Sequence, residues 1–286
     1  MNAAQKDCYE RIQRHLEDLP ALSPTVTKVL QIVNNPDASA NDLIQVIKLD
    51  PVLTAQVLRL INSPFFGMSN VSSVGRALVA VGFNTVKNLV LSSALAGIMA
   101  PGANQEAELL WSHSLSVGVS ARCLARAMNL PRDEQEAAFI AGLMHDLGKI
   151  LLQKHFKAEL TQIRRLELQG LPEIHAEKTV LGVTHEAIGG MLGRKWKFPP
   201  GLVFGVEFHH APILEGPGAV ESCLTCLSNA MYYRLGFAAE TTARDHAEII
   251  IPDGLWRVLG LNEAQVREIL AQVPEEVAAA RQFLGR

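Results

Sequence analysis

Four histidine-containing motifs follow one another along the second half of this 286-residue chain. In chain order, their candidate metal-binding residues are His113, His145, Asp146, His185, His209 and His210. Iron, manganese, nickel and zinc ions readily accept imidazole and carboxylate ligands, and two such ions can share one bridging carboxylate. The motifs therefore predict a site for one or two divalent transition metals.

Taken singly, each motif has a simpler explanation. A lone histidine on an apolar helix face, such as His113, is more often a hydrogen-bonded core residue than a metal ligand. The pair His209 and His210, at the end of a predicted helix, is typical of a solvated terminus that the helix dipole favours. The occurrence of all four motifs, in order and on separate predicted helices, is what favours a shared metal site.

Lys149 follows the His-Asp pair in the segment HDLGK and has two open roles. As a flexible point charge it could steady a bound phosphate, which makes it the candidate catalytic residue. Alternatively it pairs with Asp146, one helical turn away. The ion pair is the slightly favoured interpretation, and the phosphate role stays open.

The composition argues against two classes of partner. The chain has 26 Lys and Arg residues against 29 Asp and Glu residues, so it lacks the basic surface expected of a nucleic-acid binder. Its N-terminal segment is charged and has no apolar leader, and the apolar stretch from Leu89 to Pro101 is shorter than the roughly 20 residues that span a bilayer. Neither nucleic acid nor a membrane is therefore an expected partner.

The cysteines indicate a reducing compartment. Cys8, Cys123, Cys223 and Cys226 are too few and too scattered for a disulfide framework in a chain of this length, so a cytoplasmic location is expected. Cys223 and Cys226 form a CxxC motif, but a structural zinc ion takes four ligands and no second cysteine pair accompanies them. Buried core thiols are the favoured interpretation, with a zinc site as the alternative.

Helical periodicity dominates the elements that must position these residues. Apolar residues recur at helical spacing from Phe139 to Leu151, so His145 and Asp146 are expected on one continuous helix, about 100° apart around its axis. No sustained alternation of apolar and polar residues, as in a strand, competes with this pattern. The fold class is therefore predicted to be all-α, with two packed helical halves divided near residues 100–106.

Capping and helix-breaking residues mark the predicted boundaries. Ser39 and Thr184 are expected N-caps, and Pro51 is expected in the first turn of its helix. Helices are predicted at 23–33, 40–47, 51–61, 105–129, 133–153, 155–169, 172–181, 185–195, 200–209, 218–235, 253–259 and 262–284.

With these motifs, the second half resembles the HD superfamily of metal-dependent phosphohydrolases. It is most similar to the cyclic-dinucleotide phosphodiesterase branch, whose pattern runs His, His-Asp, His, His-His and Asp. The resemblance implies that the six residues named above are metal ligands. The final aspartate is missing, because the best-aligned residue in LTCLSNAMYY is Asn229, a neutral and weak ligand. The stretch APILEGPGAVES also lacks the Gly-Tyr-Pro motif of that branch, and both departures argue against cyclic-dinucleotide hydrolysis.

The first half resembles the HDOD family, a non-catalytic HD-related output module of bacterial signalling proteins. Its marks are Leu19-Pro20, Asp50-Pro51, the run LRLINSPFFG and the turn at Ala80–Gly82. The resemblance implies an HDOD module over 19–215, with an N-terminal half at 19–103 and an HD-like half at 104–215. Residues 216–286 are then expected to add helices that complete the HD-like bundle.

Three functional hypotheses follow. The favoured one is a stand-alone, non-catalytic HDOD signalling protein whose degenerate HD cleft binds a signalling partner or a small phosphate-containing ligand and could retain a metal. The alternative is a metal-dependent phosphohydrolase in which the six candidate ligands hold the metal and Lys149 steadies the phosphate. A third hypothesis is a structural protein with vestigial histidines and no metal.

Overall fold

The computed structural model describes residues 1–18, 22–63, 68, 70–96, 104–237 and 251–284. Every regular element in these ranges is an α-helix, which confirms the all-α prediction. The Leu19-Pro20 pair, most of the SPFFG segment and residues 97–103 at the predicted division between the halves lie outside the described residues. The division at residues 103 and 104, and the domain bounds with it, therefore stay a prediction.

The three helices predicted for the first half begin where the capping pattern places them. Ser39 and Asp42 form a reciprocal capping box, and the Asp50 side chain caps the helix that begins at Pro51. Three further helices, Ala3–Asp18, Val74–Val81 and Phe83–Ala96, are absent from the predicted set. The helices are α1 (Ala3–Asp18), α2 (Pro24–Val33), α3 (Ala40–Lys48), α4 (Pro51–Ile61), α5 (Val74–Val81) and α6 (Phe83–Ala96).

The second half is built around one long helix, α7, whose central part from Leu110 to Ala125 is mostly buried. It packs against α8, α14, α16 and α17, and α6 of the first half packs on α8. One continuous hydrophobic core therefore includes residues of both halves. The helices are α7 (Gln105–Ala127), α8 (Arg132–Met144), α9 (Leu147–His155), α10 (Lys157–Leu168), α11 (Glu173–Leu181), α12 (His185–Lys195), α13 (Pro200–Glu207), α14 (Ala219–Arg234), α15 (Asp253–Leu259), α16 (Glu263–Leu270) and α17 (Val273–Leu284).

Two of the predicted helices are wrong because each is broken in the structure. The predicted helix 133–153 ends at Met144 and restarts at Leu147, since Asp146 adopts a backbone conformation of φ −91° and ψ 17°. The apolar pattern runs through this break, so periodicity could not reveal it. The predicted helix 262–284 is divided between α16 and α17, where Pro274 cannot continue a preceding helix. The proline was a signal for this second break.

A close crossing of α9 and α12 brings two of the histidine motifs together. A Cβ atom placed on Gly148 would overlap the carbonyl oxygen of His185 and lie 3.0 Å from the backbone nitrogen of Gly189. The two backbones can approach this closely only because residue 148 has no side chain. Gly148 therefore sets the distance between the Asp146 turn and the start of α12.

None of the helices within the described residues has the length and apolar character needed to cross a bilayer.

We expect Gly148→Ala to destabilise the protein by about 1–3 kcal/mol, because the added methyl group must push α9 away from α12. The measurement is the free energy of unfolding from urea denaturation. Gly75→Ala in α5 is the matched control, since a Cβ there meets no described atom within 4 Å and alanine is the better helix former. Equal stability of the two variants would contradict the proposed close crossing.

Candidate metal centre

The buried carboxylate of Asp146 is the point on which the predicted ligands converge. Its Oδ2 atom lies 3.4 Å from His113 Nε2 and 3.3 Å from His145 Nε2. Its Oδ1 atom lies 3.2 Å from His185 Nε2 and 3.8 Å from His209 Nε2. Side chains from α7, the turn between α8 and α9, α12 and the bend that follows α13 therefore meet at one residue.

The centre has two sides. The His145 side consists of His113, His145 and Asp146 Oδ2, and the His185 side consists of His185, His209, His210 and Asp146 Oδ1. The potential ligand atoms of His113, His145 and Asp146 lie within 4.8 Å of one another, as do those of His185, His209 and His210. The structure thus brings together all six predicted residues, and the second histidine of the double motif belongs to the His185 side.

Backbone carbonyl groups fix the orientation of two of the rings. Nδ1 of His145 lies 2.7 Å from the carbonyl oxygen of Gly142, and Nδ1 of His209 lies 2.7 Å from that of Val206. Since a carbonyl oxygen only accepts, each Nδ1 must donate its hydrogen. In the neutral ring, Nε2 then presents a lone pair to the centre, which is the form in which imidazole binds metals.

The inward nitrogens face each other in pairs. His113 Nε2 lies 3.1 Å from His145 Nε2, and His185 Nε2 lies 3.1 Å from His209 Nε2. Two unprotonated ring nitrogens at this distance repel each other through their lone pairs. Each pair of nitrogens therefore requires a proton or a cation between them. This geometry fits a divalent metal on either side of Asp146.

Glu177 is a functional candidate that sequence reasoning missed. Its buried carboxylate accepts a hydrogen bond from the backbone nitrogen of His185 at 2.8 Å and faces the ring Nδ1 at 2.9 Å. Burial lowers the pKa of His185, but the carboxylates of Glu177 and Asp146 outweigh it and raise this pKa to about 10. The raised pKa favours the protonated ring, whose Nε2 lies 3.2 Å from Asp146 Oδ1 and 3.1 Å from His209 Nε2. Nothing in the segment EIHAEKTVL distinguishes Glu177 from an exposed helix residue.

Lys149 makes the ion pair that the sequence favoured and a second one that it did not predict. Its Nζ atom lies 3.3 Å from Asp146 Oδ2 and 2.9 Å from Glu173 Oε1. Burial opposes ionisation of Asp146, but His145 and Lys149 hold the pKa of its carboxyl well below the ordinary value. Burial likewise opposes ionisation of Glu173, yet Lys149 lowers the pKa of Glu173 to about 2. Lys149 is therefore neutralised by two carboxylates.

Asn229 occupies the α14 face that covers His113. Tyr232 and Tyr233, one helical turn after Asn229, place their ring centroids 4.5 Å and 5.5 Å from that of His113. Asn229 itself is buried, and its Oδ1 atom has no hydrogen-bond partner among the described residues. The residue that replaces the expected aspartate thus belongs to the neighbourhood of the His145 side.

The CxxC motif lies in the core. All four cysteines are buried and free. Burial raises the pKa of Cys223 to about 11 and that of Cys226 to about 12, which disfavours the thiolate form that zinc requires. This environment agrees with the interpretation of Cys223 and Cys226 as core thiols.

Comparison with known proteins gives relatives of the same fold. An uncharacterised protein of Treponema pallidum (strain Nichols) is 27% identical over 203 residues, which cover 70% of this chain and 39% of that protein. A provisionally named signal transduction protein from Marinobacter aquaeolei is 25% identical, with a TM-score of 0.73, over 99% of this chain and 66% of that one. A provisionally named phosphohydrolase from Shewanella amazonensis is 24% identical over 96% of this chain and 97% of that one, also with a TM-score of 0.73.

An HDOD domain protein of unknown function from Geobacter sulfurreducens has the same TM-score of 0.73 at 21% identity, over 98% of both chains. The model of the HDOD domain family matches residues 19–212, which is about two thirds of the chain and includes all six candidate ligands. The resemblance noted in the amino-acid sequence is thereby confirmed, and the chain belongs to the HDOD domain family.

Proposed function

We propose that this chain is a regulatory HDOD module that retains a divalent metal centre around Asp146 and does not hydrolyse phosphodiesters. The observation that carries the proposal is the pairing of inward Nε2 atoms at 3.1 Å on both sides of one buried carboxylate. Such a set of imidazole and carboxylate groups suits Fe, Mn, Ni or Zn.

The donors on both sides support the presence of a metal. On the His185 side, the ligands would be His185, His209, His210 and Asp146 Oδ1. On the His145 side, the ligands would be His113, His145 and Asp146 Oδ2. His210 adds support, because its Nε2 atom is buried and has no hydrogen-bond partner among the described residues. A bound ion of this kind supplies Lewis acidity, which can polarise a phosphate oxygen.

The surroundings of the centre support a role without turnover. The side chains of His145, His185 and His209 are 0% exposed and that of Asp146 is 2% exposed, so a phosphodiester has little access to the ligand atoms. Lys149, the residue that could steady a phosphate, is already held by Asp146 and Glu173. Asn229 also supplies no charge where the phosphohydrolase pattern expects an aspartate.

Elemental analysis of the purified protein tests the metal centre. We expect one to two equivalents of a transition metal per chain, and a loss of most of this metal in Asp146→Ala, because Asp146 contacts both sides. His175→Ala is the matched control, since the His175 side chain is exposed and is not among the clustered potential ligands. A metal-free wild-type protein that takes up no Mn²⁺, Fe²⁺ or Zn²⁺ would support the vestigial hypothesis instead.

A phosphohydrolase is the second candidate function. One feature favours it: the two oxygens of Asp146 face separate pairs of imidazoles. A carboxylate in this position could help to hold two metals. In that case, Lys149 would have to leave Glu173 to contact the substrate.

Hydrolysis of bis(p-nitrophenyl) phosphate separates the two candidates. We expect the protein loaded with Mn²⁺ or Fe²⁺ to show no more release of nitrophenol than His145→Ala treated identically. Metal-dependent release that disappears in His145→Ala, while His175→Ala keeps it, would establish the hydrolase and overturn the regulatory proposal.

The proposal also includes a partner and a cellular location for the protein. A regulatory module of this type would act in the cytoplasm on a signalling protein or a small phosphate-containing ligand. The name of the Marinobacter relative, a provisional signal transduction protein, agrees with this role. The near-neutral charge of −3 gives no reason to include nucleic acid or a membrane surface among the partners.

A further inference from the structure

We propose that Glu177 is a positioning residue that makes the His185 side the high-affinity metal position of the centre. The inference rests on the proposed metal centre and adds to it an order of occupation and a residue outside the six candidate ligands. It is carried by the contacts of Glu177 and by the difference in charge between the two sides.

Glu177 holds His185 at two points. One carboxylate oxygen accepts from the backbone nitrogen of His185 at 2.8 Å, and both oxygens lie 2.9 Å from ring Nδ1. The ring can then neither rotate nor change its tautomer without breaking a buried hydrogen bond. As a result, Nε2 of His185 is directed at Asp146 Oδ1 and at His209 Nε2.

The chemistry of the outer partner differs among the ligand rings. His145 and His209 donate their Nδ1 hydrogens to neutral backbone carbonyls, whereas His185 donates to a carboxylate. A carboxylate on the outer nitrogen makes the inner nitrogen a stronger base and hence a stronger ligand. His185 is therefore the strongest imidazole donor of these three.

Charge and ligand number favour the same side. The His185 side offers three imidazoles and one oxygen of Asp146, with the negative charge of Glu177 directly behind one ring. The His145 side offers two imidazoles and one oxygen of Asp146, and the α14 face beside it carries the neutral Asn229. A first divalent ion should therefore enter the His185 side, and a second should bind the His145 side more weakly.

Titration of the metal-free full-length chain with Co²⁺ tests the assignment, because the visible absorption of Co²⁺ reports its coordination. We expect two unequal binding steps in the wild-type protein. In Glu177→Gln the first step should weaken by about 10- to 100-fold, the usual effect of losing an outer partner, while the second step is unchanged. Glu177→Asp, which keeps the charge, should recover part of the affinity and the wild-type spectrum.

Two further variants identify the sides. His210→Ala should abolish the tighter step, and His113→Ala should abolish only the weaker one. Glu136→Gln is the control for an indirect effect on folding, because Glu136 is an equally buried carboxylate that pairs with Arg122 between α7 and α8. It should lower the melting temperature and leave the first Co²⁺ affinity within about threefold of wild type.

The outcomes distinguish this inference from the function on which it rests. If the wild-type protein binds no Co²⁺, the metal centre itself is wrong. If wild type binds Co²⁺ but Glu177→Gln binds the first ion equally tightly, the role of Glu177 is refuted and the metal centre stands. Equal weakening in Glu177→Gln and Glu136→Gln, or loss of the tighter step in His113→Ala, would also refute it.

Discussion

Burial of the Asp146 carboxylate is the constraint around which the second half is organised. A carboxylate removed from water is strongly unfavourable unless cationic or hydrogen-bonding groups surround it. Asp146 is buried, and Lys149 together with four imidazoles supplies this surrounding. These groups come from distant parts of the chain, so the charge of Asp146 can be stabilised only when α7, α9, α12 and the bend after α13 are correctly packed.

Small residues make that packing close enough. A Cβ atom on Gly142 would lie 2.7 Å from the Cα atom of Gly118, so α7 and α8 touch backbone to backbone near His113 and His145. The crossing at Gly148 does the same for α9 and α12. Interiors of this density resist displacement, and ligand positions set by backbone contacts are more rigid than positions set by long side chains. The fold by itself therefore holds the inward nitrogens in place.

The same contacts would allow the proposed metal centre to persist without turnover. Backbone carbonyls and Glu177 orient the imidazoles, and these partners act whether or not a substrate can enter. Lys149 and Glu173 neutralise each other at the rim of the centre, each with 19% of its side chain exposed. The ligands of such a centre are well oriented, but the centre is closed. It is better suited to an ion that changes the stability or shape of the module than to an ion that must contact a substrate.

The linear order of residues was sufficient for the helical class, for capping positions such as Ser39, and for the six candidate ligands of the metal centre. Periodicity and capping act within a few turns of helix, and the order of the motifs can be read from the sequence without any knowledge of the packing. The break at Asp146, the contacts of Glu177 and Glu173, and the division of the centre into two sides were not predictable in this way. Each depends on groups brought together from distant segments, and their distances arise only when the helices pack.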